Sequence, residues 1–174
     1  MIIALDTYKK LVPNDHQEEQ VIEMKIKALE MMVRSYTNNN FQNRNIRFEC
    51  PVSNQILDLS TSFLKIDDTV QISQSRYNDG IYTIKDISKG IKLDKELYDE
   101  AKVLVTKIEY PNDVIVGCVN LMKWDMNNRD KVGVASETIS RHSVTYFNMD
   151  GDNSIMGYPK SLIGFLRPYI KARF

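Results

Sequence analysis

Three zones of different period divide the chain. Between Asp15 and Tyr36, Ile22, Ile26, Leu29, Val33 and Tyr36 recur at spacings of four and three, the single apolar stripe of an amphipathic helix. Glu18, Glu19 and Glu23 fall in its first turns, where carboxylates favour the helix dipole. "TNNNFQNRN" stops it, because asparagine side chains compete for backbone hydrogen bonds. Ahead of it, "ALDTYKKLV" predicts a short helix closed by Pro13. From about Asn45 to Tyr110 the period becomes two. "RFEC", "ILDLS", "DTVQISQ", "GIYTIKDI", "GIKLD" and "KVLVTKIEY" read as short strands bounded by charged or turn residues. "YNDG" predicts a hairpin turn in which Asp79-Gly80 takes the positive φ angles of a tight turn.

Beyond Pro111 the helical period returns, with Ile115, Val119 (beside Cys118), Met122 and Met126 on one face and Asn112 or Asp113 as the N-cap. "NNRDKVG" closes that helix. Ser143 to Phe147 reads as an extended segment and "NMDGDNSIMG" as a flexible polar loop, after which Pro159 opens a last helix. The expected class is α+β: a small helical bundle interrupted by an inserted small β-barrel, SH3-like in kind. The bundle takes the N-terminal helices, a helix at about 112–127 and a C-terminal helix. Residues 1–44 and 111–174 form the helical domain and 45–110 the insert. Five or six short strands close most economically into a barrel, which leaves few unpaired edges.

Composition changes this picture little until the C-terminal end. Lys plus Arg equals Asp plus Glu at 23 each, so no global field draws the 174-residue chain to nucleic acid or anionic lipid. No apolar run approaches the roughly 18–20 residues of a membrane span, and "MIIALDTYKK" lacks a signal peptide's basic start and long apolar stretch. Cys50 and Cys118 form no CxxC, and read as small buried hydrophobes of a reduced, cytoplasmic protein. The tail is the clear imbalance. After Asp152 there is no carboxylate side chain, while Lys160, Arg167, Lys171 and Arg173 stand among Leu162, Phe165, Leu166, Tyr169, Ile170 and Phe174. On a helical wheel Lys160, Arg167 and Lys171 fall within about 40° of one another, opposite the apolar residues. Pro168 cannot donate to the carbonyl of Gly164, which predicts a kink near Arg167. The apolar side completes the core or meets a partner. Both are open, and an outward cationic ridge is compatible with either.

Other chemistry is poorly supplied. His142, Glu137 and Ser143 would make a hydrolase only on a strand-to-helix nucleophile elbow, and none is present. "DGDNS" invites calcium, but the twelfth position from Asp150 is Ser161 rather than a bidentate Glu. No glycine-rich phosphate loop and no zinc-spaced Cys/His cluster occurs, so neither cofactor nor metal is expected. A β-barrel nucleic-acid-binding module is the alternative. Arg76, Tyr77, Tyr82 and Lys85 would supply its basic and aromatic track, although Asp79, Asp86, Glu96, Asp99 and Glu100 lie close by.

The opening helical pair, "ALDTYKKLV" and "DHQEEQVIEMKIKALEMMVRSYTNNNF", resembles the start of the head–tail connector (adaptor) proteins of long-tailed bacteriophages. "GVASETISRHSVTYF" followed by "GYPKSLIGFLRPYIKARF" resembles their C-terminal pattern, and residues 45–110 depart from the shorter members as an insert. The resemblance implies a non-enzymatic virion structural protein at the head–tail interface, present in the host cytoplasm during assembly. It implies a homo-oligomeric ring, twelvefold on the portal protein and compatible with a free monomer. Above the ring lies the portal, below it a stopper or tail-completion protein, and DNA crosses the lumen without sequence readout. No membrane partner is implied. Carried over, Tyr158, Pro159, Lys160, Arg167, Tyr169, Lys171, Arg173 and Phe174 are portal-facing candidates. Ser136, Glu137, Ser143, Val144, Thr145 and Tyr146 are candidates for contacts with neighbouring subunits or the next ring.

Overall fold

In the computed structural model, which describes residues 1–131, 136–139, 142–145 and 152–172, the alternating runs of the middle zone become six strands. They are β1 (Gln42–Ser53), β2 (Ile56–Leu57), β3 (Thr69–Ser73), β4 (Gly80–Asp86), β5 (Ile91–Leu93) and β6 (Glu100–Ile108). All pair antiparallel and close into a barrel in the order β1-β2-β5-β4-β3-β6. Closure abolishes sheet edges, and β1 can serve both β2 and β6 because register shifts at Gln42/Arg47 and Cys50/Val52 bend it. Every second residue points inward: Cys50 and Val52, Val70 and Ile72, Tyr82 and Ile84, Ile91 and Leu93, Val103 and Val105. Leu57, Leu64 and Leu97 fill the remaining space. Each fully buried aliphatic side chain contributes about 1.5–3 kcal/mol, so the alternation itself fixes which face is inside.

The chain divides into two units, Met1–Ala4 with Asn38–Tyr110 and Leu5–Thr37 with Pro111–Phe174. The barrel unit is entered and left side by side. Gln42 pairs with Ile108, the Glu109 amide donates to the Phe41 carbonyl at 2.9 Å, and the Phe41 and Tyr110 rings lie 4.8 Å apart. Phe41 holds a positive φ of 54°, stabilised by its amide donating to Asn39 Oδ1 at 2.9 Å. One expectation for this unit needs correction. Asp79-Gly80 does not supply a positive-φ turn: Gly80 starts β4, and the positive φ in this connection is at Gln74. Space at 80 is tight, since a Cβ there would lie 3.1 Å from the Tyr82 ring, which would have to give by a few tenths of an ångström. The tight turn is instead between β1 and β2, where Asn54 and Gln55 both have positive φ, the type I′ pattern that suits strand twist.

Among the described residues the second unit carries four α-helices: α1 (Leu5–Leu11), α2 (Glu19–Thr37), α3 (Asn112–Asn128) and α4 (Lys160–Ile163). The α2 stripe runs Ile22, Ile26, Leu29 and Val33 as expected, but Thr37 rather than Tyr36 completes it, its hydroxyl donating to the Val33 carbonyl at 2.7 Å. On α3 the buried face is Val114, Gly117, Cys118, Leu121 and Met122 with Val119; Ile115 and Met126 are only half-buried. Pro111, not Asn112 or Asp113, is the N-cap, and no side chain caps the helix. Asp113 is otherwise engaged, as described below. Gly117 is the point of closest approach, because a Cβ there would lie 2.4 Å from Phe165 Cζ. Two further short hairpins follow: β7 (Ser136–Ile139) with β8 (His142–Thr145), and β9 (Ser154–Ile155) with β10 (Tyr158–Pro159). Among the described residues no helix is long and apolar enough to cross a membrane.

Candidate functional site

The acid-free tail is built on the second hairpin. Residues 152–159, expected as the end of a loop and the first residue of a helix, form β9, β10 and a turn at Met156-Gly157 in which both φ angles are positive. The Lys160 amide donates to the Asn153 carbonyl at 3.0 Å, which carries the hairpin into α4. That helix lasts only to Ile163. From Gly164 to Tyr169 the chain tightens into a 3₁₀ stretch with Pro168 inside it. The predicted break therefore comes four residues before the proline, at the carbonyl that Pro168 cannot satisfy.

Tyrosines and an arginine hold the tail down. The Tyr158 hydroxyl donates to Asp125 Oδ2 at 2.7 Å and its ring is buried. Arg129 Nη1 donates to the Gly157 carbonyl at 3.1 Å, its guanidinium standing 5.0 Å from the Tyr158 ring centre and 5.4 Å from that of Trp124. Asp125 Oδ1 is buried without an aligned hydrogen bond and is compensated by charge, in an ion pair with Arg129 Nη2. The Tyr169 hydroxyl lies 2.8 Å from each Asp113 carboxylate oxygen, and the Lys171 amide donates to the Thr37 carbonyl at 2.8 Å. Ile163 and Leu166 are buried. Desolvation, then the hydrogen bond to Asp125, pushes the Tyr158 phenol well above its ordinary pKa.

Ile163 and Leu166 thus join the core of the tail's own unit while Leu162 and Phe165 are half-buried, and Ile170, expected on the apolar side, is exposed like the cations. Lys160, Arg167 and Lys171 are exposed; Tyr158 and Pro159 are buried; Tyr169 is half-buried with its hydroxyl engaged. Arg173 and Phe174 lie outside the described residues, as does Tyr146. In the β7–β8 hairpin Ser136 faces Thr145, Glu137 faces Val144 and Ser143 faces Thr138. His142 is opposite Ile139, so the pairing sets Glu137 across from neither His142 nor Ser143. Of the suggested calcium loop, Asp150 and Gly151 lie outside the described residues, among which no group of three His, Cys, Asp or Glu could hold a metal. A cleft of about 260 Å³ adjoins the hairpin, but its polar lining is already engaged: Lys25 with Gln17, and Asp125 with Arg129 and Tyr158.

On the barrel, the four residues suggested for nucleic acid are not equivalent. Tyr82 is buried, its hydroxyl donating to the Asn78 carbonyl at 2.9 Å, and Lys85 is paired with Asp67 at 3.6 Å. Arg76 and Tyr77 are exposed, with the guanidinium 5.5 Å from the ring centre. The sequence reading missed Tyr98, which joins Tyr77, and the two groups that place them, Asn78 and Glu100. The signal available was an asparagine inside a turn motif, too common to single out. Cys50 and Cys118 are free and buried; burial pushes their thiols up to about 11 and about 12.

Comparison with protein-family models and with curated proteins found no match for the chain.

Proposed function

We propose that the protein is a structural adaptor of a phage virion, a small helical bundle carrying an inserted SH3-like barrel, and that it performs no reaction. It docks as a ring beneath the portal protein and joins the DNA-filled head to a stopper or tail protein. One observation carries the reading: a tail with no carboxylate side chain buries Ile163 and Leu166 in its own unit and leaves Lys160, Arg167 and Lys171 exposed. The resemblance of both ends of the chain to head–tail connectors supports it, and the net charge of zero suits a lumen through which DNA slides. Tyr158, Pro159 and Tyr169 act by fixing these cations in place, and Arg173 and Phe174 remain portal-facing candidates outside the described residues.

Exposed ion pairs are worth only about 0.2–1 kcal/mol each. A single copy therefore binds the portal weakly, and a ring of copies binds tightly through effective concentration. Truncating the tail is a poor test, because Tyr158, Ile163 and Leu166 belong to the core. The informative variant reverses charge: Lys160→Glu, Arg167→Glu and Lys171→Glu together. Pull-down on a portal protein that captures the native chain should drop at least tenfold while the melting temperature stays unchanged. Undiminished capture would remove these cations from the mechanism. The alternative, a β-barrel module for single-stranded nucleic acid, is favoured by the exposed Arg76 and Tyr77 and opposed by the surrounding carboxylates. It predicts salt-sensitive binding of oligo(dT).

A further inference from the structure

The connections β3–β4 and β5–β6 meet in a patch that the adaptor reading does not use. Glu100 accepts from the Arg76 amide at 2.9 Å through one oxygen, and from the Tyr77 amide at 3.0 Å and Asn78 Nδ2 at 2.8 Å through the other. Asn78 is 1% exposed and grips the Tyr98 backbone from both sides, donating to its carbonyl and accepting from its amide, each at 2.8 Å. These bonds fix the backbone under two rings that are 61% (Tyr77) and 68% (Tyr98) exposed, 5.9 Å apart and inclined at 60°. A large aromatic pair held rigid yet left in water is the form a binding anchor takes, because little freedom remains to be lost when a partner covers it.

The chemistry of that partner follows from the rim. In the two connections and the strand end beside them, residues 74–79 and 94–100, Asp79, Asp94, Glu96, Asp99 and Glu100 outnumber the cations Arg76 and Lys95. Such a rim attracts cations and repels phosphates. The rings themselves favour a planar cation. Arg76 already lies over Tyr77, and Lys95 stands 5.6 Å from the Tyr82 ring centre. A second copy could reach this patch only through its own acid-free tail, an occupant the self-association arm of the test below separates from a partner protein.

We propose that the Tyr77–Tyr98 patch docks an arginine-bearing basic segment of a partner protein, with Tyr98 taking the guanidinium and Glu96 and Asp99 selecting the charge. This stands whether or not the tail meets a portal. The test is an NMR titration of the full chain with a blocked Gly-Arg-Gly-Arg-Gly peptide, its lysine counterpart and oligo(dT). Saturable shifts at the Tyr77 and Tyr98 amides are expected with the arginine peptide, several-fold weaker with lysine because the planar fork is lost. Tyr98→Ala should weaken binding at least fivefold, Tyr98→Phe should not, and Glu96→Gln with Asp99→Asn should flatten its salt dependence. Absence of shifts, shifts with oligo(dT) instead, or self-association that disappears with Tyr98→Ala would each overturn the assignment.

Discussion

The barrel and the helical unit fasten their irregular segments in different ways. In the barrel, side-chain carboxylates and amides reach backbone N–H groups. Asp68 serves Lys65 at 2.9 Å, Asp94 serves Thr83 at 2.9 Å, Asp99 serves Asn54 at 2.8 Å, and Glu100 serves Arg76 and Tyr77. In the helical unit the recurring device is a tyrosine hydroxyl donating to an aspartate: Tyr8 to Asp15, Tyr158 to Asp125 and Tyr169 to Asp113. The first device holds turns between strands already fixed by their ladder. The second ties down segments whose own periodicity is too short to fix them, a one-turn α-helix and a 3₁₀ stretch. The same acid types therefore do different work, and the two units should fail differently.

The largest expected effect tests whether the barrel rests on its alternating core rather than on its loops. Ile84 is fully buried, so Ile84→Ala should cost about 2–5 kcal/mol in denaturant unfolding. Amide protection should fall across β3 to β6 together. Asn78→Ala comes next. It removes three hydrogen bonds and leaves the backbone N–H and carbonyl of Tyr98 without their partner, a cost of about 1–3 kcal/mol. Its signature is local: exchange should rise in residues 74–79 and 94–100 while the strand ladder stays protected. Equal loss of protection throughout the barrel would dissolve the distinction between ladder and fastenings.

The difference also explains what could be read in advance. Six alternating runs predicted six strands because period two leaves one inward face per strand, and Val70, Ile72, Val103 and Val105 announce it. The α2 stripe was equally legible. The face of α3 was read in part: Cys118, Val119 and Met122 are buried as expected, but Val114 and Leu121 take the places given to Ile115 and Met126, because apolar residues lie on several sides of this helix. Only packing against Phe165 at Gly117 selects among them. Within the tail, whose α-helix ends at Ile163 so that Arg167 and Lys171 leave the expected wheel, the cations were visible as charge without counter-charge. The bonds that hold the tail were not, since Asp113 and Asp125 lie on a helix more than thirty residues earlier in the chain than the tyrosines they accept from. The tyrosine patch was half legible: Arg76 and Tyr77 stand together in the sequence, whereas Tyr98 reaches them only through the fold.

The smallest effect is the most diagnostic of the tyrosine–aspartate device. Tyr158→Phe keeps the ring and removes the donor, so at neutral pH it should cost about 1 kcal/mol. Burial first, and the hydrogen bond to a carboxylate second, raise the pKa of Tyr158 and of Tyr8 above the ordinary phenol value. A proton held more tightly in the folded state than in the unfolded one makes stability fall as pH rises. The contribution is fully present below about pH 10, where the unfolded phenols still hold their protons, and is lost as pH climbs towards the folded pKa. Denaturant midpoints measured from pH 8 to 11 should therefore decline for the native chain from about pH 9, where the two buried thiols begin to act, and more steeply above about pH 10 as the phenols join. The decline should be shallower for Tyr158→Phe, and shallower again with Tyr8→Phe added. Cys118 and Cys50, raised by burial to about 12 and about 11, add a slope of the same sign that the tyrosine variants leave in place. An unaltered slope in the double variant would mean that these hydroxyls do not fasten the helical unit, and the contrast with the barrel would reduce to a difference in secondary structure alone.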